Sequence, residues 1–353
     1  MRAVLGLSGG VDSSVAAQLL TRDGYEVLGV YLKSCRNRDD SAAARAAAEA
    51  AGIDFRIADM SDALEKNVVT PFIQSYLHGR TPNPCVFCNP TVKFPMLFRI
   101  ADEWGAELVA TGHYARIVFC PSLGKKMIAA ANCGNDQSYM LCRLTSDMVQ
   151  RLAFPLAEAA DKREVRQFAA DHHVATHDKP DSMEICFIPD NDRIGFLERE
   201  AGDAAIDALR GDFVDAEGNV LGRHEGIHRY TVGQRRGLAM AFGERAYVVG
   251  IDGATKHVIL GDNSAVMRKV VRIEDCVWHH LPEAPFAARV RVRHSRGFTD
   301  GVVTPEDGGR TAEITFESGV RAPAPGQSAV CYADVDGVEN VLLGGGFIAD
   351  SRA

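Results

Sequence analysis

The sequence contains no run of about 18 apolar residues, so a membrane-spanning helix is not expected. A secretory leader is not expected either. In the opening stretch MRAVLGLSGG, a glycine-rich turn falls where an uninterrupted apolar segment would be needed. Dense cysteine spacing is missing as well. Nine cysteines are scattered over 353 residues, an odd number that gives no disulfide framework and suits a reducing compartment. Positive charge is not in excess. With a formal net charge of −8, any grip on nucleic acid has to come from local patches. Apart from one alanine-rich segment there is no repeat or low-complexity tract. What remains is the profile of a cytoplasmic globular protein of two or three domains, with 46% hydrophobic and 24% charged residues.

The N-terminal half alternates between two periodicities. RAVLGL, EVLGVYL, IDFRIAD and ELVATGH read as strands. Between them, DSSVAAQLLTRDG and AAARAAAEAAG read as helices, the second capped by Ser41, and DALEKNVVTPFIQSYL as a helix bent near Pro71. This alternation predicts an α/β fold with a doubly wound parallel sheet, whose ligands bind at the carboxyl ends of the strands. Residues 81–92 hold three prolines and two asparagines and read as a loop, after which KFPMLFRIADEWGA is helical. From Gly211 onward, β-branched runs alternate with glycine turns: RAYVVGID, HVILGD, RVRVRH, AEITFE, QSAVCYADV. They predict small, mainly antiparallel β modules with a join near 265–272.

The sharpest motif is LGLSGGVDSS, which follows the first strand and opens the first helix. Backbone N–H groups and the helix dipole bind anions at such a place. The motif is neither G-x-x-x-x-G-K-[ST], because no lysine follows, nor G-x-G-x-x-G, because its glycines are 6, 9 and 10. Gly9 and Gly10 allow close approach of a phosphate, Ser8, Ser13 and Ser14 offer hydroxyls, and Asp12 can hold Mg²⁺. Read as chemistry alone, TPNPCVFCN (81–89) leaves three roles open: clamping a metal, shuttling a disulfide or handing sulfur to a substrate. Cys186 lies in the apolar, strand-like run MEICFIPD, where a lone cysteine is more often part of the core.

SGGVDS resembles the pyrophosphate-binding loop of the ATP pyrophosphatase (PP-loop) superfamily. GRTPNPCVFCNPTVKF, ATGHYARI, NDQSYML, DSMEICFI, GIHRYTVGQRRGL, PGQSAVCY and LLGGGFI follow in order, so that nearly the whole chain resembles the tRNA-specific 2-thiouridylases (MnmA/TrmU family). The resemblance implies a PP-loop catalytic domain over 1–195, a central tRNA-binding domain over 196–268 and a C-terminal β-barrel over 269–353. It implies that ATP adenylates the C2 oxygen of the wobble uridine, that sulfur displaces it, and that AMP and pyrophosphate are released. Carried over by motif, Gly6, Leu7, Ser8, Gly9, Gly10, Val11, Asp12, Ser13, Leu32 and Gly112 form the ATP site. Cys88 matches the catalytic cysteine and Cys186 the persulfide carrier. Sulfur then comes from a persulfide relay protein, a cysteine desulfurase or free sulfide. The alternatives are another PP-loop adenylating enzyme and, outside catalysis, a cysteine-based metal or redox binding protein.

Cys85 departs from the family, which commonly has aspartate there. Either it is incidental or a resolving thiol, or Cys85, Cys88 and Cys186 hold a [4Fe–4S] cluster with one open iron that delivers sulfide, as in related tRNA-thiolating enzymes. The sequence slightly favours the cluster. Toward RNA, the resemblance places Asn83, Pro84, Cys85, Arg293 and His294 by the target base, and Asn135, Asp136 and Gln137 near the anticodon. Two basic stretches supply local charge: Arg223, Arg229, Arg235 and Arg236, and a strand whose alternation puts Arg289, Arg291 and Arg293 on one face for phosphates.

Overall fold

The computed structural model describes residues 1–36, 39–159, 161–172, 174, 178, 185–238, 246–294 and 297–352. The chain divides into two units, one of residues 1–68, 85–191 and 332–342 and the other of 69–84, 192–331 and 343–353.

In the first unit, β1 (Arg2–Gly6), α1 (Val11–Arg22), β2 (Glu26–Lys33), α2 (Ser41–Ala51), β3 (Asp54–Asp59) and β4 (Leu108–Thr111) bear out the strand–helix alternation. A hairpin of β5 (Ala115–Cys120) and β6 (Lys125–Ala130) follows, which the sequence patterns did not signal, and then a short β7 (Leu152–Ala153). The parallel sheet has the order β3-β2-β1-β4-β7. Its central strand carries Ala3, Val4 and Leu5, all fully buried, as expected where helices cover both faces. The chain winds outward from β1 to β3, then returns to the other side of β1 at β4. The order therefore reverses between β1 and β4, where Gly6 pairs with Thr111. A crevice at the carboxyl ends of such strands is where doubly wound sheets bind ligands. Helix α2 buries Ala44, Ala47, Ala48 and Ala51, one stripe of small side chains in the core shared with Ala16, Ala17 and Leu20 of α1. Ser41 is not the cap of α2 but its first residue, and Asp39 Oδ1 accepts its N–H at 3.0 Å.

The expected loop at 81–92 is largely helical. A helix spans Pro84–Cys88, a π-helical turn Asn89–Lys93, and a helix Phe94–Trp104 continues from it. Prolines suggested a loop because each lacks an N–H. Pro84, however, opens the first turn, where that N–H has no partner anyway, and Pro90 sits in the π turn, which relieves the interrupted i→i−4 ladder. Residues 185–190 form turns and no strand, with Ile188 N–H bonded to Ile185 C=O; Met183 and Glu184 of that run lie outside the described residues.

The second unit holds a four-stranded sheet, β8 (Gly211–Val214), β9 (Val220–His224), β10 (Tyr247–Asp252) and β11 (His257–Gly261), in the order β10-β11-β8-β9. Six further strands follow: β12 (Met267–Trp278), β13 (Phe286–Arg291), β14 (Thr299–Glu306), β15 (Thr311–Arg321), β16 (Ser328–Val335) and β17 (Val338–Arg352). They run β12-β15-β14-β13-β16-β17, and pairing of β12 with β17 closes them into a barrel. Closure removes the exposed edges that short, glycine-separated strands would otherwise leave. The proposed arginine face does not survive here. Arg291 is 6% exposed and lies over the Phe298 ring at 4.0 Å, while Arg293 falls beyond the strand end. Alternation does separate the sides of the strand, with Phe286, Ala288 and Val290 buried and Ala287 exposed, but it cannot tell that Phe298 covers Arg291 on the other side.

Candidate active site

The loop after β1 is pre-shaped by its own hydroxyls. Ser13 Oγ accepts the Ser8 N–H at 3.1 Å and donates to Gly10 C=O at 3.1 Å, and Ser14 Oγ donates to the same carbonyl at 2.9 Å. Gly10 is the extended N-cap residue of α1, so the first amides of a 12-residue helix open here. Gly9 has φ +74°, and a Cβ on it would lie 2.8 Å from the backbone nitrogen of Ala44. Gly112, just past β4, is pressed against the loop: a Cβ there would lie 2.9 Å from Asp12 C and from Ser13 N. Leu32, half-buried near the end of β2, pairs with Ala58. Gly6, Leu7, Ser8, Gly9, Gly10, Val11, Asp12, Ser13, Leu32 and Gly112 thus all lie at the carboxyl end of one parallel sheet.

Asp12 is already engaged. Its Oδ1 accepts from Tyr114 Oη at 2.7 Å, and its Oδ2 forms an ion pair with Lys162, whose ammonium lies 5.6 Å from the Tyr114 ring centre. Lys162 opens the helix Lys162–Asp171, N-capped by Asp161. Sequence inspection missed Lys162 because it looked only for a lysine inside the glycine motif.

On the cysteine helix, Cys85 and Cys88 are three residues apart and share a face. Cys85 and Cys186 reach solvent and Cys88 is half-covered. Close protein surroundings nevertheless desolvate all three thiols and push their pKa values up, Cys186 to about 12. After desolvation, Cys88 and Cys85 are the next causes for Cys186, so the fold brings these thiols within electrostatic reach of one another. Lys93 acts in the opposite direction on each of the three. His113 accompanies them. Burial drives its pKa well below the ordinary imidazole range, its Nδ1 lies 2.7 Å from Thr111 Oγ1, and its ring stacks on Phe94 at 6.0 Å. Asn89, buried next to Cys88, donates from Nδ2 to Met140 C=O at 2.8 Å and ties the cysteine helix to the segment after β6.

Cys85, Cys88 and Cys186 do not form a site for a single metal ion. Among the described residues, no three His, Cys, Asp or Glu side chains converge closely enough to hold a metal ion. Cys85 and Cys88 both raise the pKa of Cys186, and Cys85 raises that of Cys88.

Of the residues expected to face RNA, several are occupied. Asp136 accepts from Ala131 N–H at 2.7 Å and Ser138 Oγ at 2.9 Å, and Gln137 Oε1 accepts from Tyr114 N–H at 3.1 Å. Both hold the turn after β6 in shape, while Asn135 beside them is half-exposed. Asn83 is half-buried just before Pro84, which leads into Cys85. In the second unit, Arg293 donates to Val232 C=O at 2.6 Å and to Ala322 C=O at 2.6 Å, and His294 is exposed. Arg229 pairs with Glu198 at 2.6 Å, and Arg223 lies 3.8 Å from Asp212. Arg235 and Arg236 are exposed, and neither makes an ion pair among the described residues.

Comparisons with known proteins cover nearly the whole chain. Residues 1–190 match the family profile described as "tRNA methyl transferase HUP domain", 196–262 the "tRNA methyl transferase PRC-barrel domain", and 268–348 the "Aminomethyltransferase beta-barrel domain". A protein of Acidobacterium capsulatum named tRNA-specific 2-thiouridylase MnmA is 38% identical over 370 residues, 97% of each chain. Its namesake in Geobacter metallireducens is 40% identical, covering 98% of this chain and 96% of that one. The namesake in Syntrophotalea carbinolica is 42% identical, covering 98% of both.

Proposed function

The chain belongs to the family of tRNA-specific 2-thiouridylases, and from that premise we propose that it replaces the C2 oxygen of the tRNA wobble uridine with sulfur, consuming ATP. The observation that carries this reading is the presence, in one unit, of a phosphate-shaped loop and the thiols Cys88 and Cys186, the first of which raises the pKa of the second. The profile descriptions speak of methyl transfer. A cradle of helix N-terminal amides together with paired thiols suits adenylation followed by sulfur transfer.

In the first step the C2 oxygen attacks the α-phosphorus of ATP, the α–β phosphoanhydride breaks, and pyrophosphate leaves. The loop amides after Gly9 and the Ser8 and Ser13 hydroxyls take up the phosphate charge. Mg²⁺ would arrive with the nucleotide and neutralise its phosphates, and Asp12 is the carboxylate that would meet it by exchanging its Lys162 partner. In the second step a persulfide on Cys186 attacks C2 with its terminal sulfur, and the C–O bond breaks as AMP departs. The Cys88 thiolate then attacks the inner sulfur, the S–S bond breaks, and the product keeps the outer sulfur. Two cysteine thiolates are thereby oxidised to a Cys88–Cys186 disulfide while the sulfane sulfur is reduced. A thiol reductant resets the pair, and a persulfide-carrying protein or a cysteine desulfurase reloads Cys186. These steps follow the persulfide route, on which Cys85 is an auxiliary thiol; a [4Fe–4S] cluster held by Cys85, Cys88 and Cys186 is the alternative means of delivering the sulfur.

Desolvation suits Cys186 to its task. Burial among its surroundings pushes its thiol up to about 12, which favours the protonated form near neutral pH. A persulfide is more acidic than its parent thiol, so loading with sulfur is what makes the site nucleophilic. The domains over 196–268 and 269–353 serve tRNA binding, and the enzyme works in the cytoplasm beside its substrate. Purified protein supplied with ATP, unmodified tRNA and a persulfide donor should form 2-thiouridine with one AMP and one pyrophosphate per thio group. Digestion of the tRNA and mass spectrometry of its nucleosides read this out. Sulfur-free tRNA, or AMP release without thiolation, would refute it.

The structure also redirects the tRNA-binding prediction. Arg235→Ala with Arg236→Ala should lower the salt slope of tRNA binding by about one per lost phosphate contact. Arg293→Ala, which removes hydrogen bonds to main-chain carbonyls, should lower the melting temperature and leave that slope unchanged. The opposite pattern in salt titrations of tRNA affinity would restore the arginine strand as the phosphate contact.

A further inference from the structure

Tyr114 touches every part that arranges the Asp12 carboxylate. It stands two residues after Gly112, which is pressed against Asp12 and Ser13, and just before β5. Its ring is buried and packs in one cluster with Val11 and Val15 of α1, Leu156, and Val165 and Ala169 of the helix Lys162–Asp171. That cluster joins the ring to both helices, the one that carries Asp12 and the one that carries Lys162. The main chain is fixed as well. Tyr114 N–H donates to Gln137 Oε1 at 3.1 Å, and Gln137 N–H donates to Tyr114 C=O at 2.8 Å. With ring and backbone both held, the hydroxyl is held too, and it donates to Asp12 Oδ1 at 2.7 Å.

The two oxygens of Asp12 are therefore not equivalent. Oδ1 is bound by a neutral donor on a rigid support, and Oδ2 by an ammonium at the end of a flexible four-carbon stem. Moving Lys162 away leaves a side chain that is only 29% exposed without its opposite charge, a costly arrangement that another cation relieves. The Tyr114 hydroxyl carries no charge and cannot relieve it. What it does is fix the carboxylate plane, because a carboxylate with one oxygen tied no longer turns freely about its last bond.

We propose that Tyr114 is a positioning residue for the cation that accompanies the nucleotide: its hydroxyl ties down Asp12 Oδ1, so that Oδ2 is the atom offered to Mg²⁺ when Lys162 gives way. The purpose of this arrangement rests on the ATP-dependent reading above. Its physical content concerns metal-dependent nucleotide binding, which takes place without tRNA or sulfur. Groups that hydrogen-bond a metal-binding carboxylate contribute about 10- to 100-fold to metal affinity.

The test is calorimetric titration of the full chain with a non-hydrolysable ATP analogue, once with Mg²⁺ and once in EDTA. Tyr114→Phe keeps the buried ring and removes only the hydroxyl. It should weaken binding of the magnesium complex about 10- to 100-fold and leave metal-free binding within about twofold. Asp12→Asn should lose the magnesium-dependent part of the affinity. Adding Tyr114→Phe to it should change nothing further, because the hydroxyl acts through that carboxylate. An unchanged magnesium-dependent affinity in Tyr114→Phe would overturn the proposal. So would an equal loss with and without metal, which is what a merely structural hydroxyl would cause by disturbing the glycine loop. A melting curve that matches the parent's shows that Tyr114→Phe is folded. Asp12→Asn decides independently of that variant, since magnesium dependence that survives it leaves Tyr114 with no ligand to position. Because neither tRNA nor sulfur enters the titration, the two readings fail separately. A Tyr114-dependent magnesium site in a protein that thiolates nothing sinks the sulfur-transfer function alone, while thiolation with an indifferent hydroxyl sinks only this proposal.

Discussion

Cys88→Ser and Cys186→Ser should each reduce 2-thiouridine formation by more than about a thousandfold, the scale on which covalent mechanisms lose their nucleophile. ATP and tRNA affinities should stay within about twofold, because neither sulfur shapes the glycine loop. The two variants should nevertheless differ. Cys186→Ser cannot carry sulfur and should accept none from a persulfide donor. Cys88→Ser should still load Cys186 and then stall, with the sulfane sulfur detectable by cyanolysis. Cys85→Ser should retain most activity. A complete loss in Cys85→Ser together with bound iron in the parent would instead favour the cluster route, with that thiol as a ligand. Thiolation at the parental rate in either of the first two variants would remove its cysteine from the mechanism.

Gly112→Ala should weaken ATP binding about 10- to 100-fold, or about 1.4 to 2.8 kcal/mol. The new Cβ would lie 2.9 Å from main-chain atoms of Asp12 and Ser13, which cannot rotate away as a side chain would. The loop must therefore move, and with it the amides that face the phosphates. Gly297→Ala, with no atom within 4 Å of its Cβ, is the control and should bind ATP normally. Calorimetric titration with a non-hydrolysable ATP analogue decides the matter. Equal affinities for the two variants would mean that the nucleotide does not use this loop.

Much of this architecture is legible in the chain, for physical reasons that differ by region. Strands β1 to β4 are apolar runs bounded by turn signals, and SGGVDS marks the strand-to-helix turn, so the sheet and its ligand end follow directly from local pattern. The stretch around Cys88 was misread because proline's usual effect, breaking helices, is context-dependent. At Pro84 it opens a helix, and at Pro90 it widens one into a π turn. Arg291 misled for another reason. Period-two alternation describes one strand, whereas the burial of Arg291 comes from Phe298, a residue outside that strand. Lys162 was invisible for the same cause: it gains meaning only when the fold brings it to Asp12. The cysteine pairing needed the family resemblance, since the run around Cys186 gives no local sign of reactivity.

The most direct test is a single turnover. Protein carrying one sulfane sulfur on Cys186 is mixed with excess ATP and unmodified tRNA, without reductant, and both products are quantified by mass spectrometry. The account predicts one 2-thiouridine per loaded chain and an equal amount of Cys88–Cys186 disulfide. Thio groups formed while both cysteines remain free thiols would contradict it, because the sulfur would then have arrived by a route that does not use this pair.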